Sequence, residues 1–119
     1  MTLVRFSLRA LSDLDTIDCN SVQTWGQRIA DRYLADLETA LHRLAEDVSL
    51  FRASPERPGR LRFYPVREHV IIGDVIDGTC LVLTVRSDSQ DSLDQLSKLE
   101  PDLLLEAELM ARQIEFPDA

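Results

Sequence analysis

The spacing of apolar residues near the N-terminus predicts a strand followed by a helix. Apolar and polar side chains roughly alternate over residues 3–8, which is typical of a half-buried strand. A helix should follow with Ser12 as its N-cap, because a serine oxygen can accept hydrogen bonds from first-turn amides. We expect this helix to end near Gly26, with apolar residues at Leu11, Leu14, Ile17, Val22 and Trp25.

The second predicted helix has the clearest pattern in the chain. It extends from Gln27 to about Ser49, and its apolar residues recur at steps of three and four, which places them on one stripe. These residues are Ala30, Tyr33, Leu34, Leu37, Leu41, Leu44, Ala45 and Val48. Because only Gly26 separates the two helices, we predict an antiparallel helical hairpin.

Three strands are predicted after a loop. Residues 52–60 contain two prolines and a glycine, which indicates the longest loop of the chain. The strands should cover residues 61–66, 68–76 and 79–86. Asp77-Gly78 lies between the last two and is typical of a two-residue hairpin turn, so an antiparallel meander is expected.

The C-terminal segment predicts a helix with an unusually broad apolar surface. Ser92 and Gln95 form a capping-box pattern, which should begin a short helix, and Pro101 should restart or kink it. Apolar residues then cover more than half of the helix over residues 102–115, so we expect contacts on two sides. The whole pattern predicts an α+β fold in which an N-terminal strand and a helical hairpin pack on an antiparallel sheet (β-α-α-β-β-β), followed by this helix.

Charge is unevenly distributed along the 119 residues, whose formal net charge is −8. Residues 88–119 contain nine acidic residues against Lys98 and Arg112, whereas residues 1–87 are nearly neutral. The acidic balance argues against direct nucleic-acid binding, because that binding depends on neutralising phosphates. One basic segment remains available for a particular partner, and it contains Arg52, Arg57, Arg60, Arg62 and Arg67.

Localisation and cofactor use follow from what the chain lacks. It has no apolar stretch long enough to span a bilayer and no signal-peptide pattern, so we predict a soluble cytoplasmic protein with no membrane partner. Its two cysteines, Cys19 and Cys80, have neither a metal-ligand spacing nor the number needed for a disulfide framework. No cofactor and no metal ion are expected.

Three segments of the chain resemble the RelE/ParE toxin superfamily. Residues 30–37, Ala-Asp-Arg-Tyr-Leu-Ala-Asp-Leu, resemble the second helix of that family. Residues 58–72, Pro-Gly-Arg-Leu-Arg-Phe-Tyr-Pro-Val-Arg-Glu-His-Val-Ile-Ile, resemble its loop and next two strands, where members often have a Gly-x-Arg element and then a His-x-Ile run. Residues 85–91, Val-Arg-Ser-Asp-Ser-Gln-Asp, lie where the family commonly has Val-Leu-His and a later Asp. The resemblance covers about residues 3–97. We therefore divide the chain into a RelE/ParE-like domain of residues 1–97 and an acidic, apolar helical extension of residues 98–119.

The resemblance implies the toxin component of a bacterial type II toxin–antitoxin system, a class associated with plasmid stabilisation. A cognate antitoxin neutralises such a toxin. ParE-like members poison DNA gyrase by binding it, whereas RelE-like members cut mRNA on the ribosome. The chain is closer to ParE-like members, so a protein-binding toxin is the predicted function.

An mRNA endonuclease of the RelE kind is the alternative. Such an enzyme needs cations to hold the phosphate and a group to take the 2′-hydroxyl proton. The candidates are Arg62, Arg67, His69 and Arg86, and His69 is the only ordinary general base near these arginines. No lysine precedes Lys98, which disfavours cleavage, so enzymatic activity stays open with a preference against it.

For a protein-binding toxin, four arginines are candidates for contacting the target or the antitoxin: Arg60, Arg62, Arg67 and Arg86. The competing interpretation is that they are solvated and pair with neighbouring acidic residues. A third possibility for the whole chain is a degenerate, non-toxic binding module of the same fold.

The C-terminal helix departs from the family, whose members usually end soon after the last strand. It either packs on its own sheet or contacts a second copy, and we favour a homo-oligomer contact. A further hypothesis is that it inhibits the chain by lying where an antitoxin would dock.

Overall fold

A four-stranded β-sheet lies at the centre of the fold. The computed structural model describes residues 3–53, 61–67, 69–76, 78–87 and 93–115. In chain order the elements are β1 Leu3–Phe6, α1 Leu8–Trp25, α2 Gln27–Glu46, a 3-10 turn Val48–Leu50, β2 Arg62–Val66, β3 His69–Ile76, β4 Thr79–Ser87 and α3 Leu93–Glu115. This order confirms the predicted α+β class.

The strand order in the sheet is β1-β4-β3-β2. Strands β2, β3 and β4 form the predicted antiparallel meander. β1 runs parallel to β4, with Val4 opposite Cys80 and Phe6 opposite Val82. A parallel neighbour requires a crossover connection of a dozen or more residues, which α1 and α2 provide. The sheet is therefore antiparallel except at its β1 edge.

α1 begins earlier than the sequence predicts, because Ser7 and not Ser12 is its N-cap. The Ser7 hydroxyl oxygen accepts a hydrogen bond from the Ala10 amide at 3.0 Å and donates one to the Leu83 carbonyl of β4 at 2.7 Å. Ser12 lies inside the helix and is exposed. The cap is selected by its second contact with β4, which the local sequence does not show.

The predicted helical hairpin is confirmed. α1 ends at Trp25, and Gly26 follows with a φ of 88°, a backbone region that glycine adopts without strain. α2 buries one stripe of side chains and ends at Glu46, slightly before the predicted end. The buried residues of α2 are Ala30, Tyr33, Leu37, Ala40 and Leu44.

α3 is one helix from Leu93 to Glu115, so it does not restart at Pro101, and the alternative of a kink there stays a prediction. Proline removes one helical hydrogen bond, but residues on both sides of Pro101 pack against the sheet and keep the two halves in one helix. The division between residues 97 and 98 falls within this helix. The predicted cap at Ser92, residues 54–60 of the loop and Asp77 of the turn lie outside the described residues.

Two separate hydrophobic cores lie on the two faces of the sheet. The hairpin core joins α1 and α2 to one face and contains Ala10, Ile17, Tyr33, Leu37, Ala40, Leu44, Phe51, Ile71, Cys80, Val82 and Val85. The α3 core joins α3 to the opposite face and contains Leu61, Ile72, Leu81, Leu83, Leu103 and Ala107. α3 thus packs on its own sheet, while Leu105 and Leu109 stay half-exposed.

A β-bulge interrupts the pairing of β3 with β4. Ile72 pairs with Thr84 and Gly73 pairs with Val82, so Leu83 is an extra residue on β4. A Cβ atom at Gly73 would lie 1.7 Å from the Leu81 carbonyl oxygen. Only glycine therefore fits at this position of β3.

We expect Gly73→Ala to lower the free energy of unfolding by about 3 kcal/mol, because the added methyl group forces two backbones apart. Urea denaturation followed by circular dichroism measures the change. Ser12→Ala is the matched control, since Ser12 is exposed in α1, and it should change the free energy by less than about 0.5 kcal/mol. A loss below about 1 kcal/mol for Gly73→Ala would contradict the packing described here.

Candidate functional site

Three of the predicted site residues lie at the same end of the sheet. Arg67 is in the turn between β2 and β3, His69 begins β3, and Arg86 lies near the end of β4, opposite Val70. Arg62 pairs with Gly73 towards the other end of the sheet. The sheet therefore brings together Arg67, His69 and Arg86 but separates Arg62 from them.

Arg62 and Arg60 are the other two members of the predicted set of arginines, and they differ in what the structure describes of them. Arg62 is exposed in a shallow cavity of about 380 Å³ next to Arg52, with Phe51 and Val75 in its wall. Arg60 lies outside the described residues. The proposed surface of four arginines is consequently not one patch among the residues that the structure describes.

Tyr33 holds the His69 ring in place. Its hydroxyl shares a hydrogen bond with His69 Nδ1. The two ring centroids are 5.4 Å apart, and the rings meet edge to face at 67°. Tyr33 itself is buried in the hairpin core, so α2 fixes the orientation of the first residue of β3.

Arg67 is fixed by contacts on two sides. Its guanidinium lies 2.5 Å from Asp36 Oδ2 of α2, and its Cζ lies 5.9 Å from the centroid of the Tyr33 ring. Both contacts are attractive for a guanidinium, which forms ion pairs and stacks on aromatic faces. Arg67 has a φ of 54°, unusual for a residue other than glycine, and these contacts accompany that strained turn.

A polar pocket of about 200 Å³ opens between α1 and the ends of β3 and β4. His69 and Arg86 line it together with residues of α1. Asp13 Oδ2 accepts hydrogen bonds from the Thr84 hydroxyl and from the Val85 amide, the latter at 3.2 Å. A carboxylate thus faces the same space as the histidine and the arginine.

The sequence interpretation did not include the α1 side of this pocket. Asp13, Thr16 and Asn20 line it from α1. Their steps of three and four residues put them on one helical face, and that spacing is a signal that was present in the sequence.

An apolar groove of about 370 Å³ lies on the other side of Tyr33. Trp25, Ile29, Tyr33 and Arg67 line it. Trp25 and Ile29 are each 52% exposed although both side chains are large and apolar. We call Trp25, Ile29, Tyr33, Asp36 and Arg67 the Arg67 surface.

The chain belongs to the ParE toxin family of type II toxin–antitoxin systems. The family described as the ParE toxin of the parDE system matches residues 4–92, which include the helical hairpin and all of β2, β3 and β4. This match confirms the predicted superfamily and its ParE-like branch. Among curated proteins, no sequence matches the chain significantly.

A solved structure shows the same fold. It is described as the chromosomal ParDE TA system from P. aeruginosa, and it superposes with a TM-score of 0.64 at 17% sequence identity. The similarity covers 73% of this chain and 96% of that chain. Part of the present chain therefore has no counterpart there.

Two further findings concern the described residues alone. No helix among them has a stretch that is both long and apolar enough to cross a membrane. Within the same ranges, no group of three or more His, Cys, Asp or Glu side chains is arranged to hold a metal ion.

The two cysteines differ in accessibility. Cys80 is fully buried between β1 and β3, and this burial raises the pKa of its thiol to about 12. Cys19 is exposed on α1. Because the thiolate is the reactive form, Cys80 stays unreactive at neutral pH.

We expect iodoacetamide at pH 8 to modify the folded protein once, at Cys19. Cys80 should stay unmodified, because its thiol keeps its proton at pH values far above 8 and is out of contact with solvent. Mass spectrometry counts the adducts. Cys19→Ser should give none when folded and one in denaturant. Rapid modification of the folded Cys19→Ser protein would contradict the burial of Cys80.

Proposed function

We propose that this chain is a ParE-type toxin that acts in the cytoplasm by binding a protein target such as DNA gyrase and is neutralised by a cognate antitoxin. The family match over residues 4–92 carries this proposal, since it includes the whole hairpin and most of the sheet. The Arg67 surface supports binding as the mode of action, as follows.

The Arg67 surface has the composition of a protein-binding site. Interface residues that contribute most to affinity are enriched in Trp, Tyr and Arg, and Trp25, Tyr33 and Arg67 line one groove. Half-exposed Trp25 and Ile29 offer apolar area that a partner would remove from water.

Preorganisation adds to the case for this surface. The ion pair with Asp36 and the contact with the Tyr33 ring restrain the Arg67 side chain before any partner arrives. A side chain that is already restrained loses less conformational freedom on binding, which favours affinity. We assign the Arg67 surface to the target or the antitoxin. Arg86 belongs to the margin of this surface, and Arg62 belongs to a separate patch.

Replacement of Trp25 or Arg67 by alanine should weaken target binding, because each change removes one wall of the groove. We expect a loss of roughly 1–3 kcal/mol per side chain, or about 5- to 150-fold in Kd. Surface plasmon resonance with purified gyrase measures it. Arg5→Ala is the matched control, since Arg5 is exposed on β1 at the opposite edge of the sheet.

Growth of a bacterium that expresses the chain, with a DNA-damage reporter in the same culture, tests the function as a whole. Gyrase poisoning predicts growth arrest with the reporter switched on, and Trp25→Ala and Arg67→Ala should relieve both effects. Normal growth with a soluble, folded protein would contradict a toxic function and favour a degenerate binding module.

The mRNA endonuclease is the second candidate, and one observation favours it: His69 and Arg86 line the same pocket. The His69 ring is held at Nδ1 by Tyr33, an imidazole is the usual proton-transfer group near neutral pH, and an arginine is suited to a phosphate. Asp13 in the same pocket opposes phosphate binding, because its carboxylate repels an anion. We therefore rank cleavage below protein binding.

His69→Gln distinguishes the two candidates, because glutamine can hydrogen-bond Tyr33 but cannot act as a general base. Loss of a general base lowers a rate by about 10²–10⁴-fold, so an endonuclease would lose its mRNA cleavage. A gyrase-binding toxin should keep growth arrest and the DNA-damage signal. Primer extension on cellular mRNA after induction measures cleavage, with wild-type chain as the reference.

A further inference from the structure

The large apolar side chains that stay exposed fall into two groups among the described residues. Trp25 and Ile29 belong to the Arg67 surface. The members of the other group lie at the N-terminal end of α1 and on α3 and are between 50% and 86% exposed: Leu8, Leu11, Leu105 and Leu109. Single apolar residues on a surface are ordinary, whereas a group of them marks an interaction site.

An ion pair joins the two helices that carry this second group. Arg9 Nε of α1 lies 3.2 Å from each carboxylate oxygen of Glu106 of α3. Arg9 directly follows Leu8 in the chain. Glu106 likewise directly follows Leu105. The exposed leucines of α1 and α3 therefore lie on neighbouring helix surfaces.

The exposed side of α3 carries a stripe that is apolar at its centre and oppositely charged at its two ends. Four exposed residues form this stripe at steps of three, four and three: Asp102, Leu105, Leu109 and Arg112. Such steps place side chains on one face of a helix, and they are the spacing with which two helices pack along a shared seam. The stripe therefore has the pattern of a helix-pairing surface.

This stripe is complementary to a second copy of itself in one orientation. When two such helices run antiparallel about a two-fold axis next to Ala107, Leu105 faces the partner's Leu109, and Asp102 faces the partner's Arg112. Every contact of this kind occurs twice in a two-fold interface. A parallel arrangement would place Asp102 against the partner's Asp102, and like charges repel. The charges therefore favour the antiparallel arrangement.

The acidic side chains that flank the stripe are already paired within their own chain. Glu106 pairs with Arg9, and Glu108 lies 3.6 Å from Arg112 one turn further along α3. Asp102 has no ion-pair partner among the residues that the structure describes. Its carboxylate is consequently available to an arginine from outside the chain.

We propose that the exposed side of α3 is a self-association surface, through which two copies of this chain form an antiparallel dimer. Leu105 and Leu109 form its apolar centre, and the ion pairs of Asp102 with the partner's Arg112 determine its register. Leu103 and Ala107 hold the opposite side of α3 on the sheet, so the surface needs no rearrangement before binding.

The dimer leaves the Arg67 surface accessible in both copies. Tyr33 of that surface belongs to the hairpin core, whereas α3 packs on the opposite face of the sheet. A dimer through α3 consequently presents two Arg67 surfaces to a partner, and two linked sites bind a bivalent partner with increased avidity. Self-association itself requires neither toxicity nor gyrase, so its failure is distinct from failure of the proposed function.

Sedimentation velocity of the full-length chain over a concentration series measures the Kd of the dimer. Leu105→Glu and Leu109→Glu each place two charges in the apolar centre, one from each copy, so we expect Kd to rise by about tenfold or more. Ile29→Glu is the matched control, because Ile29 is about as exposed on α2 as Leu105 is on α3, and it should leave Kd unchanged. Circular dichroism checks that each variant is folded.

Three results would overturn the proposal. The first is a wild-type chain that stays monomeric up to its solubility limit. The second is a dimer whose Kd neither Leu105→Glu nor Leu109→Glu changes. The third is a dimer that Ile29→Glu dissociates, because self-association would then occur through the Arg67 surface.

Charge reversal tests the antiparallel register. Asp102→Arg makes the net charge of the chain less negative and so reduces general repulsion between copies, yet it places an arginine opposite the partner's Arg112. We expect Kd to rise roughly 2- to 30-fold, because a surface ion pair is lost twice. The double variant Asp102→Arg/Arg112→Asp restores opposite charges at both ends and should restore the wild-type Kd. Tighter association of Asp102→Arg, or no recovery in the double variant, would contradict this register.

Discussion

The burial of β4 on both faces is the constraint on which the rest of the structure depends. Residues from Cys80 to Val85 are all buried, with alternate side chains in the hairpin core and the α3 core and with β1 and β3 as hydrogen-bonded neighbours. A strand in this position must be apolar throughout, and its sequence, Cys-Leu-Val-Leu-Thr-Val, is almost so. Ile71 and Ile72 of β3 are likewise buried in the hairpin core and the α3 core, so the two helical layers pack on opposite faces of these two central strands. The polar exception, Thr84, is satisfied by Asp13 of α1.

Local signals in the sequence were sufficient for most of the elements. The stripe on α2, the break at Gly26 and the meander of β2, β3 and β4 depend on periodicity and turn chemistry, which neighbouring residues determine. The parallel pairing of β1 with β4 was not predictable in this way, because it depends on where a two-helix crossover returns the chain. The N-cap was misplaced for a similar reason: Ser7 and Ser12 both precede apolar helical runs, and only β4 distinguishes them.

The candidate site was predictable only in part. Basic character near the β2–β3 turn was visible in the sequence, and Arg67 and His69 do lie together. The apolar members of the surface were not visible, because Trp25 fits the apolar spacing of α1, which usually indicates a core, and Ile29 comes just before the predicted stripe of α2. In the structure both side chains are half-exposed, one on each side of Gly26. The apolar breadth of α3 divides between Leu103 and Ala107, which are buried on the sheet, and Leu105 and Leu109, which are half-exposed, and the contact with a second copy stays a prediction.

The Ser7 hydroxyl links the start of the first helix to a carbonyl 76 residues further along the chain. On a ribosome, the N-terminal turn of α1 therefore lacks its complete set of hydrogen bonds until β4 has emerged and docked beside β1. The helical hairpin has mainly local contacts and can form early, whereas the edge strand must wait for a distant partner. Since β1 has β4 as its neighbour in the sheet, the first strand of the chain cannot take its place before the last strand has been synthesised.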